Sequence, residues 1–308
     1  WKRWKKKFKN SYSKYPLKID SKILSGIDLS RAVYEQLSHR IASLKNNSII
    51  PSLAVVLVGE NPASKIYVKS KTKKFNELGL KSSTISFSND ISEEELINKI
   101  SDLNDDPTYH GILVQLPLPN HINTEKILLS INPKKDVDGF HPYNLGNLTA
   151  GTPLFIPCTP KGIMRFFEYY NLDISGKHVV VVGRSNIVGR PVSILTSLKN
   201  KYSNATTTIC HSGTSDIFKF TKMADVIILA LGSPNFLKSN HVKDGSIIID
   251  VGINRIKDHN DNYKLVGDAD YESVINKVSA ITPVPGGVGP MTIAMLVENT
   301  IEAAESTE

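Results

Sequence analysis

Cysteine is scarce, acidic residues are missing from one end, and long apolar runs are absent from this 308-residue chain. The two cysteines, Cys158 and Cys210, form no C-x-x-C pair and make no disulfide framework, which fits a reducing compartment. Stability must then come from buried apolar surface, and the length suffices for one large domain or two ordinary ones. No apolar stretch approaches the roughly 18 to 20 residues of a membrane span. The longest, such as DVIILAL (225–231), have the length of buried strands. The eight histidines show no H-x-x-x-H or Cys/His clustering, so no metal site is expected.

The net charge of +7 would suit a nucleic-acid partner, but its placement argues otherwise. Residues 1–18 hold eight Lys/Arg and no acid. Taking those eight from the 37 basic residues leaves 29 against 30 acidic ones. The body is near neutral, and no nucleic acid is expected to bind it. Trp1, Trp4, Phe8, Tyr12 and Tyr15 recur at helical spacing among the lysines, and Pro16 would end such a helix. The arm reads as an acid-poor targeting segment, as an amphipathic helix for an anionic surface, or as a plain extension. The sequence opens on Trp rather than Met, which leaves room for residues upstream.

From Leu24 onward strand and helix patterns alternate, the mark of an α/β protein. SLAVVLVG (52–59) reads as a buried strand. Ser64 is placed to cap a helix running to about Leu78, with Gly79 as its stop. LKSSTISF (80–87) is a second strand, ISEEELINKISDL (91–103) an amphipathic helix, and GILVQL (111–116) a third strand halted by Pro117 and Pro119. After a loop-like stretch (144–160) comes a second series. HVVVVG (178–183), ATTTIC (205–210), DVIILAL, SIIIDVG (246–252) and VSAIT (278–282) read as strands. PVPGGVGP (283–290) reads as a rigid loop, and MTIAMLVENTIEAA as a closing helix. No internal repeat or low-complexity segment occurs.

Three places can carry chemistry. The first is the turn G-R-S-x-I-V-G, from Gly183 to Gly189, between a buried strand and a helix. Such a turn aims backbone N–H groups at a phosphate, but it misses the G-x-G-x-x-G spacing, and any α/β protein can own a tight βα turn. The next strand ends in His211 and Ser212 rather than in the carboxylate that holds a ribose 2′-hydroxyl. With Arg184 in the turn, the residues favour NADP over NAD. The second is Tyr67 and Lys71, four apart on one helix face. They offer a proton donor beside a tunable amine, or else one more solvated lysine in the lysine-rich string YVKSKTKK. The third is a set of loop residues. Gln115 ends a strand on the side where α/β proteins place ligands, and Asp136 and Asp138 in KKDVDGFHP can bind a metal, cap a turn or touch a ligand.

These motifs occur in a fixed order: NPASKIYVKSKTKKFNELG, GILVQLPLP, PKKDVDGFHP, PCTPKG, VVVGRSNIVGRP, CHSGT, DVGIN, GDAD and TPVPGGVGPMT. Together they resemble the bifunctional methylenetetrahydrofolate dehydrogenase/methenyltetrahydrofolate cyclohydrolase family, from about Ile23 to the C-terminus. The resemblance implies two α/β domains. Residues 21–155 with 285–308 would form the catalytic, folate-binding domain, and 156–284 a Rossmann-like NADP domain. The closing helix would return to the first domain, the folate would lie in the cleft between the two, and 1–20 would stand outside as a basic extension. It further implies that Lys71 is the essential lysine, that Tyr67 orients the folate, that Gln115 bonds the lysine and Asp138 the pterin ring. Leu116 and Pro285, Gly286, Gly287, Val288 and Gly289 would contact the folate. Gly183, Arg184 and Ser185 would hold the cofactor, Ser212 its 2′-phosphate, and Ile253 would lie near it. The sequence departs from the family at Gly213, where relatives often carry Lys or Arg.

The implied activity is oxidation of 5,10-methylenetetrahydrofolate with NADP, then hydrolysis to 10-formyltetrahydrofolate, in one-carbon metabolism and purine biosynthesis. A homodimer in the cytoplasm is expected, with a mitochondrial or plastid matrix as the alternative if the arm is a targeting remnant. Two rivals explain less. A Rossmann oxidoreductase acting on a hydroxy acid leaves Tyr67, Lys71 and Gln115 without work. A surface-binding protein explains only the arm.

Overall fold

The computed structural model describes residues 22–257 and 263–307. The basic segment expected over 1–18 lies outside the described residues. By backbone contacts the chain forms two compact units, one holding 22–32 with Thr159–Thr292, the other Val33–Cys158 with 293–307. Among the described residues no helix is long and apolar enough to cross a membrane.

The Val33–Cys158 unit is built on a parallel three-stranded sheet. Strand β1 (Ser52–Val58) lies between β2 (Lys81–Phe87) and β3 (Gly111–Val114). All seven β1 residues are buried, as the unbroken apolar run SLAVVLV requires of a strand covered on both faces. Helix α1 (Gly26–Asn46) precedes β1, and α2 (Pro62–Glu77) joins β1 to β2. The cap of α2 is Asn61 rather than Ser64. The Asn61 Oδ1 accepts from Ala63 N at 3.0 Å and Ser64 N at 3.1 Å, and Pro62 takes the first helical position, where its missing N–H is no loss. Gly79, at φ +67°, ends the helix as expected. Helix α3 (Glu93–Asp105) starts at the Ser92 cap with three glutamates in its first turn. It buries Leu96, Ile100 and Leu103 against Val56, Ile112 and Val114. Each such side chain contributes roughly 1.5 to 3 kcal/mol by leaving water. Short helices α4 (Thr124–Ser130) and α5 (Pro142–Thr149) follow.

The main segment of the other unit starts within α6 (Cys158–Tyr169), a helix the sequence reading did not separate from the preceding loop. Its sheet is parallel and five-stranded, in the order β10-β7-β6-β4-β5: Ala280–Ile281, Ile247–Asp250, Val226–Leu229, His178–Val182 and Thr206–Cys210. Helix α7 (Gly189–Ser197) joins β4 to β5, and α8 (Ile217–Thr221) joins β5 to β6. After β4 the chain places β5 on one side and β6 on the other. That makes the end of β4 a topological switch point, where doubly wound sheets open a crevice. An antiparallel pair, β8 (Asn254–Lys257) and β9 (Tyr263–Val266), and the short helix α9 (Tyr271–Val274) come before β10.

Residues 22–32 and 285–292 belong by contact to the five-stranded unit, whereas the sequence boundaries set them with the other domain. Backbone bonding is the reason. Leu24 N donates to Ile281 O at 2.8 Å and Gly26 N to Gly286 O at 2.9 Å. The closing helix α10 (Val288–Glu305) begins three residues before the expected Met291, so Val288 and Gly289 are helical rather than loop. From Ile293 it belongs to the three-stranded unit. There Asn299, fully buried, donates to Val137 O at 2.8 Å and Ile156 O at 3.0 Å, and Arg40 pairs with Glu305 through two bonds of 2.7 and 2.8 Å.

Candidate active site and strand edge

In the three-stranded unit, one face of α2 carries Tyr67, half-buried, and Lys71, only 6% exposed. Their spacing puts both on the same side of the helix, while Lys65, Lys69 and Lys73 face solvent. Lys71 is therefore not another solvated member of the lysine string. Its Nζ donates to Gln115 Oε1 at 3.0 Å. Gln115 follows β3 directly, where its N–H still bonds Val56 O, and its Nε2 donates to Leu116 O at 2.7 Å. That second bond settles which end of the amide faces the lysine: the oxygen must. The Leu116–Pro117 peptide beyond it is cis.

Burial pushes the Lys71 amine below its ordinary range, against the opposing pull of the Asp138 carboxyl and Cys158. Burial likewise raises Asp138, against Lys71, with Asp136 adding to the rise. Both groups are driven toward their neutral forms, which for Lys71 means a free base. Tyr67 is raised by burial and keeps its phenol proton.

The two aspartates of DVDG separate into different roles. Asp136, 1% exposed, caps its own loop, accepting from Phe140 N at 3.2 Å, His141 N at 2.8 Å and Asn144 Nδ2 at 2.7 Å. Asp138 is the one left to face Lys71. Cys158, fully buried, joins them; its Sγ donates to Val137 O at 3.4 Å and receives Asn299. The sequence reading gave Cys158 no role, although PCTPKG was among the recognised strings. Among the described residues no group of three or more His, Cys, Asp or Glu could hold a metal ion.

In the five-stranded unit Gly183, Arg184, Ser185 and Ser212 sit together just past the C-terminal ends of β4 and β5, while Ile253 lies in the loop after β7. Gly183 N donates to Cys210 O at 2.8 Å, which sets the Gly183 turn beside Ser212. Gly183 has φ +133°, and a Cβ there would stand 2.4 Å from Ala230 O, so no other residue fits. Ser185 organises the turn: its Oγ accepts from Val188 N and its carbonyl from Arg190 N. The first N–H groups of α7 are thereby used within the turn, and Pro191 has none. Among the described residues, the N–H groups of Arg184, Ser185, Asn186 and Ile187 donate to no protein acceptor, so an anion would meet the turn rather than the helix end. Arg184 and Ser212 are exposed. Ile253 is 46% exposed, and its Cδ1 lies 3.7 Å from where a Cβ on Gly289 would stand. Pro285 is exposed and follows a cis peptide, while Gly287 and Val288 are buried.

Comparison with known proteins identifies the family of both units. The description "tetrahydrofolate dehydrogenase/cyclohydrolase, catalytic domain" matches residues 24–138, and the NAD(P)-binding domain of the same description matches 157–308. The sequence is 50% identical over 287 residues to the bifunctional protein FolD of Acetivibrio thermocellus, covering 93% of this chain and 98% of that one. The crystal structure of the bifunctional FolD methylenetetrahydrofolate dehydrogenase/cyclohydrolase of Campylobacter jejuni superposes with a TM-score of 0.87 at 48% identity, over 93% of this chain and 99% of that one. The dehydrogenase-cyclohydrolase of Trypanosoma brucei, solved with NADP cofactor and inhibitor, gives 0.87 at 32% identity, over 92% and 97%.

Proposed function

The chain belongs to the tetrahydrofolate dehydrogenase/cyclohydrolase family, and from that premise we propose which of its residues carry the two reactions. The enzyme oxidises 5,10-methylenetetrahydrofolate to the 5,10-methenyl compound with NADP, then hydrolyses that to 10-formyltetrahydrofolate. NADP, when bound, supplies the hydride acceptor. The residues present fit it: a turn with unused N–H groups, no Cβ at Gly183, an exposed guanidinium at Arg184 and no carboxylate ending β5. We assign Gly183 and Ser185 to its phosphate turn, Arg184 and Ser212 to the 2′-phosphate and Ile253 to a contact near the ring.

For hydrolysis, water attacks the cationic methenyl carbon and must lose a proton. The neutral Lys71 amine accepts it, held in place by Gln115. As the carbon–nitrogen bond opens, that ring nitrogen takes a proton and the carbonyl forms, so one proton is released overall. Tyr67 orients the folate and Asp138 binds the pterin ring, with Leu116 and Pro285 to Gly289 completing the contacts. The observation that carries this reading is a lysine 6% exposed and bonded to a fixed amide oxygen. The test follows NADPH and methenyl absorbance together on the purified chain given methylenetetrahydrofolate and NADP. The reading requires NADPH to form and the methenyl signal to decay. NADPH without decay would remove the hydrolytic role.

Four further assignments belong to this reading. The folate-binding part comprises 21–155 and 285–308, and the NADP-binding part 156–284, divided by function. The chain acts as a homodimer, which the edge of β2, unpaired among the described residues, and the 65% exposed Ile66 support; light scattering decides it. It works in the cytoplasm, in keeping with two buried free thiols. Its formyl product serves purine biosynthesis.

A further inference from the structure

Two buried carboxylates lie at the strand ends of the five-stranded unit, and the chemistry described so far uses neither. Asp250, the last residue of β7, is 3% exposed, and Asp268, just after β9, is fully buried. Asp250 Oδ1 accepts from Gly252 N at 2.9 Å and Asp268 N at 3.0 Å, and its Oδ2 accepts from Ala269 N at 2.8 Å. Asp268 Oδ2 accepts from Leu231 N at 2.8 Å and Gly232 N at 3.0 Å. Its Oδ1 accepts from Ser233 N and Asn254 Nδ2, both at 2.9 Å. Among the described residues no Lys or Arg pairs with either side chain; six backbone N–H groups bond them instead. A Cβ at Gly252 would fall 2.3 Å from Asp268 Oδ1, so the loop after β7 must carry glycine for the carboxylate to come this close.

The segments tied down are not arbitrary. Residues 231–233 follow β6, and the residue before them, Ala230, lies against the Gly183 turn at the switch point. Ile253 sits between Gly252, held by Asp250, and Asn254, held by Asp268. Its own side chain stays 46% exposed. One carboxylate thus sets both the loop behind the phosphate turn and the hydrophobic side chain that projects from the same edge.

We propose that Asp268, braced by Asp250, is a positioning residue for NADP: it holds the 231–233 loop and Ile253 in the shape the cofactor binds. The proposal rests on NADP occupying this strand edge. It makes the carboxylate matter for hydride transfer and not for hydrolysis, because hydrolysis of added methenyltetrahydrofolate needs no cofactor. The hydrolytic rate therefore reports, in the same sample, whether the protein is still folded.

The experiment compares wild type, Asp268→Asn and Asn254→Ala as full chains. It measures NADP affinity by calorimetry, KM for NADP and kcat in the dehydrogenase assay, and hydrolysis of supplied methenyltetrahydrofolate. Asp268→Asn turns an acceptor into a donor facing N–H groups. It should raise the Kd and KM for NADP about ten- to a hundredfold, with a smaller change in kcat. Hydrolysis should stay within about twofold, the scatter of independent sites. Asn254→Ala removes one donor and leaves the carboxylate, so its effect should run the same way, at about two- to fivefold. Unchanged NADP affinity in Asp268→Asn overturns the proposal. Should Asp268→Asn lose both activities by unfolding, Asn254→Ala decides: weaker NADP binding with normal hydrolysis supports the proposal, and unchanged binding overturns it. A wild type that binds no NADP would instead remove the underlying reading, and the proposal with it.

Discussion

The two units solve different chemical problems with different materials. At the β4 and β5 ends of the five-stranded unit the working groups are backbone N–H groups and exposed side chains, Arg184 and Ser212 among them. In the three-stranded unit they are the buried Lys71 and the half-buried Gln115 and Asp138, with Lys71 and Asp138 both shifted toward their neutral forms. The contrast follows from where the reactivity resides. Hydride transfer uses chemistry resident in the nicotinamide, so the protein supplies shape and charge complementarity. Hydrolysis has no such reagent, so a side chain must take the proton, and its pKa must be tuned by burial. Both units also bury an acid that works on backbone: Asp136 in one, Asp250 in the other.

The largest expected effect tests the buried side of that contrast. Lys71→Met should slow hydrolysis by about 10² to 10⁴ while leaving measurable dehydrogenase activity, so methenyl product accumulates. Because Gln115 acts through Lys71, the double variant with Gln115→Ala should be little slower than Lys71→Met alone. The wild-type hydrolytic rate should rise with pH through a pKa below the ordinary lysine range and level off above it, and this limb should vanish in Lys71→Met. Wild-type hydrolysis in that variant would remove Lys71 from the proton transfer, whatever its burial.

Next in size is a stability effect from the five-stranded unit. Burial, aided by nearby Asp268, raises Asp250 to about 6 despite the N–H groups of Ala269, Asp268 and Gly252 that favour its charge. A raised carboxyl binds its proton more tightly folded than unfolded. Its contribution is therefore fully present below the ordinary pKa of 3.8 and is lost as pH rises through about 6. The two-unit span corresponds to about 3 kcal/mol. Unfolding free energies of wild type and Asp250→Asn, measured between pH 4 and 7, should diverge by about that amount, with wild type losing the more. Parallel curves would show that Asp250 is not shifted.

Substitution at the exposed edge should matter less. Arg184→Ala should raise KM for NADP about tenfold and leave KM for NAD nearly unchanged, since only NADP carries the 2′-phosphate. Equal effects on both cofactors would move Arg184 to a phosphate they share.

What was legible in the sequence follows the range of the forces involved. Local periodicity placed the strands and put Tyr67 and Lys71 on one helix face, and steric limits made Gly183 readable as a turn. The missing carboxylate after β5 was visible because it depends on neighbouring residues only. Only the family resemblance singled out Asp138; the residue pattern alone could not separate it from Asp136, because their roles depend on Asn144 and on Lys71, the latter 67 positions from Asp138 along the chain. Cys158 was silent for the same reason: Asn299 and Val137 O meet it only in the folded unit. The α2 cap is a different case. Asn61 and Ser64 are both good capping residues, and Pro62, best suited to a first helical position, was the available clue in favour of Asn61. The Asp250 and Asp268 network was legible only as the strings DVGIN and GDAD, whose bonds join loops far apart in sequence.

The smallest effect sharpens the contrast from the other direction, by adding a charge instead of removing one. At Gly213 the resemblance leads to the expectation of a cation, and here a glycine stands beside Ser212. Gly213 N donates to His211 Nδ1 at 3.0 Å, and its φ is not in the left-handed region, so a side chain is compatible with the backbone. A Cβ there would meet the His211 ring at 3.2 to 3.3 Å, a tight contact that a small rotation of the half-buried ring relieves. Gly213→Lys should therefore fold normally and place an ammonium group beside Ser212. An exposed pair of this kind is worth about 0.2 to 1 kcal/mol, so KM for NADP should fall by up to about fivefold. KM for NAD should not change, and the gain should shrink as salt is raised from low to physiological strength. A lysine that lowers both KM values equally would place the 2′-phosphate elsewhere than beside Ser212. A loss of NADP affinity would mean that His211, displaced by the new side chain, is itself part of the cofactor's contact surface.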